Sequence, residues 1–156
     1  MAAFEYRQAE EVRDAFRRHG VRYLFIGKSA AILLGYPDTT QDADLYVDRG
    51  KANGEATATA LRDLGFMLTD AQAAEVVRGK DFIQLKDGPF DLDLVFAPDG
   101  IEHFEDAYQR RVDVEGFPVC HIDDIIASKE ATGRAKDRES LPRLRAFRGY
   151  WLEKHR

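Results

Sequence analysis

Hydrophobic positions along the chain recur every three or four residues in some segments and form short alternating or continuous runs in others. The first spacing is typical of helices and the second of strands. In residues 4–19, for example, Val12, Ala15 and Phe16 belong to one apolar stripe, and Gly20 ends the segment. The same pattern predicts helices over residues 28–35, 52–64, 71–77, 101–110, 123–132 and 141–154. Ser140 is the expected N-cap of the last helix.

Short apolar runs bounded by glycine, proline or aspartate predict the strands. These runs cover residues 21–27, 41–48, 81–86 and 90–96, with a further strand pair within residues 111–122. The Asp-Gly-Pro sequence at residues 87–89 predicts a hairpin. Because helices and strands interleave, we expect an α/β (α+β) fold with a small mixed β-sheet flanked by helices. One domain is expected to span residues 1–156, with the C-terminal helices from about residue 122 packed on it.

Composition narrows the class of protein. The chain has 156 residues, 44% of them hydrophobic and 33% charged, which suits one domain with its own core. No apolar run reaches the roughly 20 residues that span a bilayer, and the N-terminus lacks a signal-peptide pattern. The single cysteine excludes an internal disulfide. We therefore expect a cytoplasmic protein without membrane partners.

The charge distribution is uneven. The net charge is −5, but residues 128–156 carry nine Lys/Arg against four acids, a net charge of +5. The remaining residues therefore carry −10. An acidic body with a basic end suits a site that binds cations on one side and phosphates on the other, although a solvated terminal helix would have the same composition.

The Gly-Lys-Ser tripeptide at residues 27–29 raises the question of a P-loop. A P-loop needs a glycine five positions before its Gly-Lys pair, so that backbone amides can surround the phosphates. Arg22 occupies that position, within a predicted strand. The sequence therefore argues against a P-loop ATPase.

Two Asp-x-Asp pairs are the stronger chemical signal. Asp42 and Asp44 lie on one predicted strand, and Asp91 and Asp93 lie on another. Residues two apart on a strand share a face, so each pair presents two carboxylates together. Either pair alone is more typical of a solvated face. Both pairs in one small domain, after a glycine turn that presents backbone amides to an anion, favour a cation site instead.

These residues resemble the nucleotidyltransferase (polymerase-β-like) superfamily. Its pattern is a hydrophobic strand, Gly-Gly or Gly-Ser, then Asp-h-Asp (h, hydrophobic), and a third acid on a later strand. Here the elements are residues 27–29, the Asp42–Asp44 pair, and Asp93. The segment "DDIIASKEATGRAKDRESL" at residues 123–141 is similar to minimal bacterial nucleotidyltransferases, including the AbiEii toxin-like group. The resemblance covers residues 23–144.

The resemblance implies a metal-dependent nucleotidyltransferase that moves an NMP group from an NTP to a hydroxyl of RNA (such as tRNA), a protein or a small molecule. Asp42, Asp44 and Asp93 would bind Mg²⁺ (or Mn²⁺) and carry the catalysis, and Asp93 would also take the acceptor proton. Asp91 is not assigned as a ligand, although it shares their face. Contacts to the nucleotide are expected from Gly27, Lys28 and Ser29 of the glycine turn, from Thr40 just before the first Asp-x-Asp pair, and from Lys129 and Arg134 of the basic segment.

Two residues depart from the family pattern. Lys28 stands where a second glycine or serine is usual, and Asp38 replaces a residue that is often basic. Lys28 either reaches a phosphate or pairs with Asp42 and fills the nucleotide pocket. Two functions therefore stay open: an active enzyme, or a catalytically degenerate protein that acts as a binding partner, for example in a toxin–antitoxin pair.

Secondary roles are expected for a few further side chains. Lys129 and Arg134 are placed on one predicted helical segment as phosphate or acceptor contacts, and the alternative is a charged surface helix with internal ion pairs. Cys120 and His121 favour packing at a strand end over a zinc site. Four residues with helical spacing are expected in the core: Leu144, Phe147, Tyr150 and Trp151.

Overall fold

The computed structural model describes residues 4–155, which contain seven helices and six strands. The helices are α1 (Tyr6–Arg18), α2 (Gly27–Leu33), α3 (Lys51–Asp63), α4 (Asp70–Arg78), α5 (Phe104–Gln109), α6 (Ile122–Thr132) and α7 (Ala135–Lys154). The strands are β1 (Tyr23–Ile26), β2 (Asp42–Val47), β3 (Phe82–Leu85), β4 (Asp91–Val95), β5 (Val112–Val114) and β6 (Phe117–Val119). The predicted α/β class, a mixed sheet flanked by helices, is confirmed.

All six strands belong to one sheet, in the order β3-β4-β2-β1-β6-β5. β3 pairs with β4, β1 with β2, and β5 with β6 in antiparallel orientation, which confirms the predicted hairpin at residues 87–89. The β2–β4 and β1–β6 contacts are parallel. The parallel register places Asp42 beside Asp91 and Asp44 beside Asp93.

The neighbouring strands β2 and β4 present one face to the core. Ala43 and Leu45 of β2 are fully buried, as are Leu92 and Leu94 of β4. Since successive side chains on a strand alternate between faces, the aspartates between these residues share the opposite face. Burial of the apolar face therefore determines where the carboxylates lie.

The helices contribute further buried residues to the hydrophobic core and pack against one another. α1 buries Val12, Ala15 and Phe16, as the periodicity predicts. It contacts α3, which contacts α4, while α6 contacts both α2 and α7. The helices after residue 122 thus lie against the segment that follows β1. No helix within residues 4–155 is long and apolar enough to cross a membrane.

The predicted start of the last helix was wrong. α7 begins at Ala135, so Ser140 is not its N-cap and Pro142 lies inside the helix. A serine followed closely by proline is typical of a helix start, because proline lacks an amide hydrogen that a first-turn residue does not need. Here hydrogen bonds of the Asp137 side chain stabilise a helical turn that precedes Ser140. The Ser140 hydroxyl instead donates to the Asp137 carbonyl.

One predicted core residue is exposed. Leu144, Phe147 and Trp151 are buried on α7, but Tyr150 is 58% exposed. Positions 144, 147 and 151 follow the spacing of one helical face, and position 150 is rotated away from it. The Tyr150 ring lies instead near the Lys154 ammonium, 5.2 Å from its centroid.

Candidate metal centre and its cleft

The structure brings together the three carboxylates that were predicted from the sequence as metal ligands. Asp42 and Asp44 lie on β2, Asp93 lies on the neighbouring β4, and each offers a ligand oxygen within 4.8 Å of the others. The parallel register, with Asp44 beside Asp93, is responsible for this proximity. Three oxygen ligands on one face are a donor set that suits a hard divalent cation such as Mg²⁺.

The carboxylates perturb one another. Burial, followed by the negative charges of Asp42 and Asp93, raises the pKa of Asp44 to about 8. Burial, together with a hydrogen bond and the charge of Asp42, raises the pKa of Asp93 to about 6. Without a cation the cluster therefore retains a proton near neutral pH. A divalent ion could replace that proton, because it would neutralise the same charges.

Gly27 fits the turn beside the cluster because it lacks a side chain. Its φ is +63°, a conformation that L-residues rarely adopt. A Cβ at this position would lie 2.5 Å from Oδ2 of Asp44, well inside van der Waals contact. The glycine therefore allows the β1–α2 turn to approach the carboxylates closely.

Two hydroxyl groups position the segment that carries the ligands. Ser29 is buried, and its Oγ donates to the Ile26 carbonyl at 2.8 Å and accepts from the Asp44 amide at 3.2 Å. Thr40 Oγ1 lies 3.1 Å from the carbonyl and 3.3 Å from Oδ1 of Asp42, within donating distance of both. The Ser29 side chain, predicted as a phosphate contact, is thus engaged inside the fold and joins α2 to β2.

Lys28 does not pair with Asp42. Its Nζ lies 3.3 Å from Oδ2 of Asp38, the other residue that departs from the family pattern. The Thr39 amide, which donates to Asp38, and the Lys28 ammonium together lower the pKa of the Asp38 carboxyl. The three clustered carboxylates are therefore not blocked by this lysine.

A second group of charges surrounds Asp137, which is 1% exposed. Lys129 Nζ and Arg134 Nε lie 3.2 and 2.7 Å from its carboxylate oxygens, and the Thr132 hydroxyl also donates to it. Burial would raise the pKa of Asp137, but these hydrogen bonds lower it to about 2. The predicted helical spacing of Lys129 and Arg134 was wrong, because α6 ends at Thr132 with Gly133 as its C-cap, and Arg134 is the N-cap of α7.

A cavity of about 500 Å³ joins the two groups. The sheet contributes the three carboxylates, whereas the β1–α2 turn and the α6–α7 segment contribute the cations Lys28, Lys129, Arg134 and Lys136. The cavity is within the size range of small-molecule sites. Its charges agree with the uneven charge of the sequence: acids from the body and cations mainly from the C-terminal segment.

Asp91 lies outside this cleft. It is beside Asp42 in the register but lines a neighbouring cavity, with Lys86 and Lys136. The carboxylate group within 4.8 Å, taken over residues 4–155, does not include it. This placement agrees with leaving Asp91 out of the predicted ligands.

Sequence reasoning missed two cleft residues on β3. Gln84 pairs with Asp93 in the β3–β4 register and hydrogen-bonds its carboxylate, which tends to lower the pKa of Asp93. Phe82, 49% exposed, lies two residues earlier and also lines the cleft. The alternation in "DFIQLK" places both on one face, but only the pairing with β4 shows that this is the carboxylate face.

Cys120 and His121 contribute to packing, as expected. Burial raises the pKa of the Cys120 thiol. His121 Nδ1 accepts from the Asp123 amide at 3.0 Å and so caps α6, while its ring contacts the Trp151 ring edge-on. Both side chains thus secure the β6–α6 connection.

No protein-family model matches this chain, and no curated protein matches it.

Proposed function

We propose that the protein is a Mg²⁺- or Mn²⁺-dependent nucleotidyltransferase that moves an NMP group from an NTP to a hydroxyl acceptor. The observation that carries the proposal is the meeting of Asp42, Asp44 and Asp93 within 4.8 Å, in a cleft that also contains four cationic side chains. Carboxylates suit divalent cations, and clustered lysine and arginine suit phosphates. An NTP–metal complex carries both features.

The carboxylate cluster fits a metal on chemical grounds. The pKa values of Asp44 and Asp93 are raised by burial and by neighbouring carboxylates, and Gly27 lets the β1–α2 turn approach Asp44 closely. A bound Mg²⁺ or Mn²⁺ would neutralise these charges and polarise the phosphate oxygens of the nucleotide. Asp42, Asp44 and Asp93 would hold it, with Ser29 and Thr40 fixing the backbone around the first two.

The chemical step of the proposed reaction is the transfer of the NMP group. The acceptor oxygen attacks the α-phosphorus of the NTP, the bond from that phosphorus to the bridging oxygen breaks, and pyrophosphate leaves. Asp93 accepts the acceptor's proton and later releases it to water. Gln84 donates a hydrogen bond to Asp93 and so orients this carboxylate.

The cations of the cleft serve the leaving pyrophosphate. Lys136 forms no ion pair within residues 4–155, and Lys28 is joined only to Asp38 in the same part of the chain. Both ammonium groups can therefore reach the β- and γ-phosphates as point charges. Lys129 and Arg134 remain candidates for phosphate contact, held at the edge of the cleft by Asp137.

The alternative is a degenerate fold that only binds a partner, as in a toxin–antitoxin pair. Its main support was a Lys28–Asp42 contact that would block the nucleotide pocket. Lys28 contacts Asp38 instead. The enzyme is therefore the better supported proposal, while RNA, protein and small-molecule acceptors all stay open.

The test measures thermal stability of the purified protein with Mg²⁺ and each NTP in turn. Saturable stabilisation is expected for the wild type and is expected to vanish in Asp93→Asn. The matched control is Asp91→Asn, the same change two residues earlier on β4, in the neighbouring cavity. This control is expected to behave as the wild type.

A second measurement identifies the acceptor. The protein is incubated with α-labelled NTPs and Mg²⁺ in the presence of separated RNA, protein and small-molecule fractions of a lysate. Label is expected in one fraction with the wild type and Asp91→Asn, and in none with Asp93→Asn. Absence of both stabilisation and labelling in the wild type would overturn the enzyme proposal.

A further inference from the structure

A second cavity, of about 300 Å³, adjoins the cleft. It lies between the α2 segment and helices α6 and α7. Lys28, Lys129 and Lys136 line both cavities. A ligand with its phosphates at these three ammonium groups could therefore extend from the cleft into the second cavity.

The second cavity combines charged groups with an apolar wall. Its three lysines, Asp38, Glu139 and Arg143 are charged, whereas Ala31, Ile125, Leu144 and the Tyr36 ring form the apolar wall. A nucleotide has the same division, since its triphosphate is charged and its base is a flat ring with polar atoms only at the edge. Apolar walls with a few convergent polar groups are typical of sites that bind such rings.

We propose that this second cavity binds the base of the NTP, and that Glu139 and Arg143 read the base edge and favour guanine. This inference rests on the proposed function and deepens it. Both side chains project from α7, one turn apart, and both line the cavity. Of the other charged groups that line the cavity, Asp38 pairs with Lys28, and the three lysines are shared with the cleft. Glu139 and Arg143 add a carboxylate that accepts and a guanidinium that donates.

The pair is available for a ligand. Glutamate and a basic residue four positions later often form an ion pair on a helix, with Cβ atoms about 5–6 Å apart. Within residues 4–155, however, no ion pair joins Glu139 to Arg143, and the Glu139 side chain forms no hydrogen bond. Arg143 lies over the Tyr36 ring, 5.3 Å from its centroid, and makes a long 3.5 Å contact with the Pro37 carbonyl. The guanidinium is thus positioned while part of its donor set stays free.

Guanine matches these two groups better than the other bases. Its N1–H and N2–H₂ donors can both face a carboxylate, and its O6 and N7 acceptors suit an arginine fork. Adenine presents an acceptor at N1, which a carboxylate repels. Cytosine can donate to Glu139 only from its amino group, and uracil places a carbonyl oxygen, a second acceptor, next to the carboxylate. A site whose polar groups are satisfied by one base discriminates against bases that leave them unpaired.

The experiment measures dissociation constants for non-hydrolysable α,β-methylene analogues of GTP, ATP, CTP and UTP in Mg²⁺ by calorimetry. The GTP analogue is expected to bind the wild type at least about tenfold more tightly than the others, since a bidentate base contact is worth about that much discrimination. In Glu139→Gln and in Arg143→Lys, the preference is expected to fall to about threefold or less, with the ATP analogue bound as before.

The matched control is Glu130→Gln, the same chemical change on α6. Glu130 pairs with Arg145 outside the cavity and is expected to leave the preference unchanged. Equal binding of all four analogues by the wild type would overturn the inference and leave the proposed function intact. A guanine preference that survives both cavity variants would overturn it as well. If no analogue binds in Mg²⁺, the proposed function itself fails, and this inference fails with it.

Discussion

Replacing Asp44 with asparagine is expected to stabilise the metal-free protein and to abolish its stabilisation by Mg²⁺. Asparagine keeps the shape of the side chain and removes its charge. The carboxyl is largely buried beside Asp42 and Asp93, and these surroundings raise its pKa to about 8. Removing the charge therefore relieves repulsion in the folded protein while deleting a proposed metal ligand.

The magnitude follows from the pKa. A tenfold change in proton affinity corresponds to about 1.4 kcal/mol. The pKa of Asp44 is about 8 in the folded protein, against an ordinary value of 3.8, so this carboxyl destabilises the folded protein at pH 7 by at most about 4 kcal/mol. The three carboxyls share protons, and water reaches the cleft, so part of this free energy is already relieved. We expect a gain of about 2 kcal/mol, or about 4–8 °C in Tm for a chain of this size.

The pH dependence has a definite sign. The folded pKa of Asp44 lies above the unfolded value, so the folded protein binds more protons than the unfolded chain between about pH 4 and pH 8. The contribution of this carboxyl to stability therefore falls as pH rises through that window. The decrease of unfolding free energy with pH is expected to be steeper in the wild type than in Asp44→Asn. Mg²⁺ is expected to restore the stability of the wild type near pH 8.

The assay is urea denaturation at pH 5, 6, 7 and 8, in EDTA and in Mg²⁺. Asp87→Asn is the control, because Asp87 is exposed in the turn between β3 and β4 and both residues suit an Asx-Gly turn. It is expected to change neither the slope nor the response to Mg²⁺. A loss of stability in metal-free Asp44→Asn, or an unchanged response to Mg²⁺, would refute the electrostatic account of the cluster.

Two further substitutions test parts of the fold that support the site. Gly27→Ala places a Cβ 2.5 Å from Asp44 Oδ2 and is expected to lower the free energy of unfolding by about 2–4 kcal/mol. The control Gly20→Ala has a similar φ of +66° but open space around it, and is expected to lower it by about 1 kcal/mol. Equal losses for the two variants in urea denaturation would contradict the close approach of Gly27 to Asp44. Asp137→Asn is expected to lose about 2 kcal/mol at pH 7. Since the folded pKa of Asp137 is lowered to about 2, its contribution to stability is present above pH 4 and lost as pH falls towards 2. Acid unfolding curves of the wild type and the variant that stay parallel would show that Asp137 does not act through its charge.

Local patterns were sufficient to predict most elements of the fold. Helix α1 and strands β2 and β4 follow directly from apolar spacing, because burial of one face imposes that spacing. The same alternation places Asp42 with Asp44 on one face. It does not determine which strands are neighbours or in what register they pair. The meeting of Asp44 with Asp93 depends on that register. The two Asp-x-Asp pairs suggested that the carboxylates converge, and the family resemblance added which three would act as ligands.

Long-range contacts explain what the sequence did not predict. The start of α7 depends on Asp137, whose partners Lys129 and Thr132 come from the preceding helix. Local rules favour Ser140 as a cap, and tertiary hydrogen bonding overrides them. Gln84 likewise becomes a site residue only because β3 pairs with β4.

The two departures from the family pattern become one feature when they are considered in space. Separately, Lys28 threatens to fill the cleft and Asp38 adds a negative charge near a triphosphate. Their side chains pair at 3.3 Å and remain 35% and 28% exposed. An ion pair this exposed contributes no more than about 1 kcal/mol, so a stronger anion can displace Asp38 at little cost. The pair therefore holds Lys28 away from the three clustered carboxylates, and both departures are compatible with the proposed nucleotide binding.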